Sequence, residues 1–209
     1  GLMLSMKPGD AGTDVRPLGN YLFGYAPGGP GIRLSPYSTN FAVNNYTYGN
    51  VATVGASVHR IGFIWATMLW EMTWEIMGTV PFDPDIYNGT GGNNIALALV
   101  TEAMKLQPCS PGFVDGRDAI LAADQALYGG TYSTEIWTAF ARRGLGCGAN
   151  QGSSDSSIDG IEDFVNPTIA TPPILFPDLA ATVFLDATGN GIVTYDDVTT
   201  SPALSCANV

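Results

Sequence analysis

The chain has 209 residues, 45% hydrophobic and only 13% charged, which suffices for one ordinary domain with a real core and excludes global disorder. Its formal net charge is −11, and no basic side chain follows Arg143, so there is no basic patch to meet a phosphate backbone and nucleic-acid binding is excluded. No run reaches the roughly 18 uncharged apolar residues of a membrane span, and the acidic, Lys-poor C-terminal third suits calcium-rich or extracellular surroundings.

In chain order, "GLMLSM" resembles the last turns of a helix, closed by Pro8 and Gly9. It lacks the basic start and cleavage site of a secretory signal. A chain that begins inside a helix is expected to be a fragment or a processed form. Residues 8–57, rich in Gly, Pro, Asn and Tyr without helical period, predict a long looped region.

Residues 58–78 predict a buried central helix with Ser57 as N-cap. Ile61, Trp65, Met68, Leu69, Met72 and Ile76 follow the helical spacing, and Arg60, Thr67, Glu71 and Glu75 fall on another face. Further helices are predicted at 93–106, 115–128 and 133–143, the last capped by Ser133, with Pro108, Gly129 and Gly144 as stops. Residues 151–177 have linker composition. Residues 178–209 predict a short β-rich tail around the turn "TGNG". The fold class is therefore mainly α: a helical bundle at 1–150, a linker and a small β tail.

The only histidine, His59, stands at the first turn of the central helix beside the long loop. From there it can donate a hydrogen bond to developing oxyanion charge; the plainer reading is a histidine satisfied by backbone. One histidine without a thiolate cluster cannot supply a zinc ligand set, and no G-x-S-x-G elbow supports a serine triad. Cys109, Cys147 and Cys206 form no C-x-x-C pair. Asn45 (N-Y-T) and Asn88 (N-G-T) are candidate glycosylation sites.

"RPLGNYLFG", "GGPGIRLSPYSTN", "VHRIGFIWATMLWEM", "GGNNIALALVTEAMKLQPCSPGFVDGRDAILAADQALYGG" and "EIWTAFARRGLG" occur in that order over residues 1–150. Together they resemble the C-terminal half of the catalytic unit of fungalysin-type secreted zinc metallopeptidases, distant relatives of thermolysin. The resemblance implies the C-terminal helical subdomain of thermolysin-like peptidases. It also implies a catalytic zinc whose ligands, an H-E-x-x-H pair and a later Glu, are absent from this sequence.

It further implies that His59 stabilises the tetrahedral oxyanion and that Arg33, in "GIRLSPY", contacts the substrate backbone. For Arg33 the plainer reading is a salt bridge that anchors the loop. The family orients this histidine with an upstream Asp, whereas "NVATVGAS" offers no carboxylate. Cys109 fits the family pattern, but Glu135 stands where its partner is expected. A Cys109–Cys147 disulfide is the substitute, against two separate thiols.

In the tail, "DATGNGIVTYDD" places Asp186, Thr188, Asn190, Thr194 and Asp197 at liganding positions of an EF-hand-like loop, with Ile192 offering its carbonyl. It resembles a dockerin-type calcium loop. A plain hairpin reads equally well.

These readings predict part of a secreted zinc endopeptidase acting on protein or peptide substrates. This chain by itself is expected to be inactive without the zinc-binding half, in cis or as a separate chain. The alternative is a non-catalytic extracellular structural module derived from such a peptidase, with homo-assembly as its mode of action.

Overall fold

The structure, a computed structural model, describes residues 3–168. The β tail expected at 178–209 and its candidate calcium ligands Asp186, Thr188, Asn190, Ile192, Thr194 and Asp197 lie outside the described residues, as do 169–177 of the expected linker.

Among the described residues, four helices form the mainly α core: α1 (Val58–Thr79), α2 (Gly92–Leu106), α3 (Phe113–Tyr128) and α4 (Ser133–Arg142). The central helix α1 packs against α2 and α4, and α2 packs against α3. Its buried side chains include Phe63, Ile64, Met68, Trp70, Met72 and Ile76. Burying each such side chain fully is worth about 1.5–3 kcal/mol of transfer free energy. Trp65 stands edge-on to Phe113 at 5.5 Å and tilted against Phe140 at 5.7 Å, so α1, α3 and α4 meet at one aromatic junction.

Several helix starts are set by distant partners. Ser57 holds the N-cap position of α1 but makes no side-chain cap bond; its carbonyl accepts from Arg60 and Ile61 N–H, each at 2.9 Å. The third helix begins at Phe113, before the expected 115, because the Asp115 carboxylate accepts the Gly112 N–H at 2.9 Å. Gln151 in turn donates to that carboxylate at 2.6 Å. Ser133 is not the cap of α4. Tyr132 is, with its N–H bound by the buried Asp124 carboxylate at 3.0 Å. Gly129, at φ 65°, ends α3 as expected.

The looped region before α1 is irregular, with 3-10 turns at Asn20–Phe23 and Tyr48–Ala52. Its segment 38–46 lies over the polar stripe of α1. Asn44 donates to the buried Thr67 hydroxyl at 3.2 Å. Arg143, with 0% exposure, donates to the carbonyls of Ser38, Asn44 and Tyr46 and twice to the Glu71 carboxylate, at 2.8 and 2.6 Å. Arg142 pairs with the other Glu71 oxygen. Both guanidinium groups sit over the Phe41 ring. Burial pushes the Arg143 guanidinium down to about 10, which leaves it charged at neutral pH. Thr67 and Glu71 are thus buried under this loop.

Residues 151–168 return to the bundle, and the compact unit runs through Thr168. Asn150 pairs with Ile161 in an antiparallel bridge and Leu145 with Asp163 in a parallel one. Glu162 accepts from the Thr47 hydroxyl at 2.7 Å and the Gly49 N–H at 2.9 Å. The Ser/Asp/Asn composition that reads as linker folds into local side-chain turns: Gly152 N–H to Asn150, Ser153 N–H to Asp159 and Ile158 N–H to Ser156.

Candidate active site

His59 is the second residue of α1 and its side chain is exposed. Arg33 lies in the preceding loop, half-buried. The fold brings the two to one concavity of about 240 Å³, lined also by Ile32, Leu34, Ser57 and Arg60.

Backbone pairing places Arg33. Arg16 and Tyr37 form an antiparallel bridge, and Ile32 N–H donates to the Leu18 carbonyl at 2.9 Å. Gly31 turns the chain between them at φ 77°, where a Cβ would stand 2.9 Å from the Leu18 backbone, so only glycine fits. Arg33 makes no ion pair among the described residues; its guanidinium lies near the side chain of the buried Tyr37. Burial pushes the Tyr37 hydroxyl up, and the guanidinium pulls it partly back. The salt-bridge reading of Arg33 is not what the structure contains.

Helix geometry places His59. Gly55, at φ 74°, and Ser57 turn the chain into α1, and Arg60 donates to the Val54 carbonyl at 3.2 Å, fastening the entry. Among the described residues His59 makes no hydrogen bond and no ion pair, and its exposed side chain lines the concavity. No carboxylate orients the ring from any described segment. The concavity therefore presents two guanidinium groups, an imidazole and the Ser57 hydroxyl, and no carboxylate. It suits a carbonyl oxygen, an oxyanion or a carboxylate.

Two features of this surroundings escape sequence reasoning. Arg60 joins the site because residues i and i+1 of a helix start can both face a flanking loop, although it reads as part of the polar face. Tyr37 lies near Arg33 across a Pro-containing turn, a proximity with no sequence signature. A second concavity of about 260 Å³, lined by Tyr48, Val51, Ile61, Phe113 and Gln151, flanks the other side of the α1 start without including His59.

Among the described residues no group of three or more His, Cys, Asp or Glu is placed to hold a metal ion. No helix there is long and apolar enough to cross a membrane. Cys109 is a free, exposed thiol in the loop after α2, whereas Cys147 is disulfide-bonded. The Cys109–Cys147 pairing is therefore not formed. Cys147 is drawn instead onto the returning segment, where its N–H donates to the Val165 carbonyl at 3.0 Å. The asparagines of both sequons, Asn45 and Asn88, are exposed.

The family model described as Fungalysin metallopeptidase (M36) matches residues 1–149. The extracellular metalloproteinase MEP of Pyricularia oryzae is 42% identical over 161 residues, covering 74% of this chain and 25% of that protein. The extracellular metalloproteinase mep of Aspergillus fumigatus is 44% identical over 157 residues, covering 72% and 24%. Extracellular metalloproteinase 10 of Coccidioides posadasii is 47% identical over 126 residues, covering 57% and 20%. The chain spans about a quarter of the length of the curated relatives it matches.

Proposed function

The chain belongs to the Fungalysin metallopeptidase (M36) family, and on that premise we propose that it is the C-terminal part of a secreted zinc endopeptidase, supplying the substrate side of the active site. Extracellular location accords with the names of its relatives. The observation that carries the proposal is the convergence of His59 and Arg33 on one donor-lined concavity.

The residues described here do not fit a zinc ion, which needs three protein ligands. The metal ligands belong to the part of the relatives' length that this chain does not cover, in cis or as a separate chain. What this chain contributes is positioning and electrostatics. Arg33, beside Tyr37, hydrogen-bonds a backbone carbonyl of the bound peptide and sets its register. His59 donates to the carbonyl oxygen as negative charge gathers there, an interaction stronger in the transition state than in the bound substrate.

The test is His59→Gln and Arg33→Met in the whole protein with its metal-binding half. Loss of one oxyanion donor lowers kcat by roughly 10²–10³-fold, and the Arg33 variant raises KM. Activity of the His59 variant within a few-fold of wild type sinks the assignment. The lack of a carboxylate beside His59 among the described residues favours a second reading, a non-catalytic extracellular module. A wild-type whole protein that carries zinc yet cleaves no peptide supports that reading instead.

A further inference from the structure

We propose that Asn88 carries an N-linked glycan whose first sugars lie over Tyr87 and cover the apolar groove between the α1–α2 loop and helices α2 and α3. The inference rests on secretion through a eukaryotic pathway and not on the roles of His59 or Arg33.

The loop between α1 and α2 turns its polar groups inward, except at the sequon. Asp85 accepts the N–H groups of Tyr87 and Asn88, each at 3.0 Å, and Asp83 accepts the Thr90 N–H at 3.1 Å. Asn93 bonds both backbone groups of Asp83, at 2.9 and 2.8 Å, and Asn94 donates to the Asp85 carbonyl at 2.9 Å. With the backbone fixed in this way, Tyr87 and Asn88 point out. Tyr87 is 92% exposed, and Asn88 retains only a 3.4 Å contact to Asp85. The Thr90 hydroxyl makes no hydrogen bond among the described residues. Asn88-Gly89-Thr90 thus has what the modification needs: an outward amide, an unused hydroxyl and room for a bulky group.

The neighbourhood supplies the reason for a glycan here. Ile86, Tyr87, Gly89 and Thr90, on both sides of Asn88, line a groove of about 620 Å³ with Leu97 and Leu127. Tyr87, Leu97 and Leu127 are exposed large hydrophobic side chains in that groove. A contiguous exposed apolar patch marks a contact site. The first sugars on Asn88 are tethered at its lip, and pyranose rings present C–H faces that stack on an aromatic ring such as Tyr87. In the covalent step the Asn88 side-chain nitrogen bonds to C1 of the oligosaccharide of a polyprenyl-diphosphate donor. The amide proton is lost and the diphosphate leaves with the C1–O electron pair, with no change of oxidation state.

Trypsin reads the site by itself, because Asn88 falls in peptide 61–105 and Asn45 in peptide 34–60. The whole protein is collected from the medium of a secreting fungal host and treated with peptide N-glycosidase in heavy-oxygen water. Peptide 61–105 is expected to return with Asn88 converted to labelled Asp in excess over a parallel digest without the glycosidase, which accounts for spontaneous deamidation at Asn88-Gly89. Asn88→Gln and Thr90→Ala both abolish the label, and secreted Thr90→Ala protein binds more of an apolar fluorescent dye than wild type. Unmodified Asn88 in the secreted wild type, or a glycosidase-dependent label that persists in Thr90→Ala, overturns the site. Equal dye binding overturns the covering of the groove.

Discussion

Replacing Arg143 with Met removes the buried clamp that ties segment 38–46 to α1. The Glu71 carboxylate, itself 0% exposed, keeps only Arg142 as counter-ion, and the carbonyls of Ser38, Asn44 and Tyr46 lose their donor. Breaking a buried pair by removing one partner costs about 3–5 kcal/mol. For a unit of this size each kcal/mol lowers Tm by roughly 2–4 °C, so a fall of about 10 °C is expected. Thermal unfolding followed by fluorescence of the four Trp residues measures it. The double variant Glu71→Met/Arg143→Met should recover part of the loss, because it leaves no buried uncompensated charge. A single-variant shift under about 2 °C, or a double variant worse than the sum of its parts, refutes the clamp.

Gly116→Ala in α3 places a Cβ 2.8 Å from the Trp65 ring; overpacking costs about 1–3 kcal/mol and helix propensity returns about 1, so urea titration should show a net loss near 1 kcal/mol. Burial pushes the Glu75 carboxyl above its usual 4.5, and Glu135 adds to the shift. A raised carboxyl contributes stability that is complete below pH 4.5 and fades as pH rises through the folded value. Glu75→Gln should therefore raise Tm at pH 7 while leaving it unchanged near pH 4; an equal effect at both pH values rejects this. Native protein treated with a maleimide should be labelled at Cys109 and not at Cys147 until a reductant is added; peptide mapping decides it.

The helices were legible because their signals are local. The apolar spacing of α1 and the Pro108 and Gly129 stops each act within one or two turns of chain, and the four helices stand within two residues of the expected bounds. Family membership was legible for a related reason, as several motifs kept their order along residues 1–149. What escaped depends on groups far apart in sequence. The caps of α3 and α4 are finished by Gln151 and Asp124, and the polar stripe of α1 is buried because Arg143 arrives from the end of α4. Serine-rich residues 151–168 look like a flexible linker until Glu162 finds Thr47 and Gly49. The sequence by itself determined the helical elements and named His59 and Arg33. Only the tertiary structure decided that they share one concavity, that Arg33 pairs with no acid among the described residues, and that Cys109 stays a free thiol. Burial and long-range hydrogen bonding are properties of the folded packing, which no local window of sequence contains.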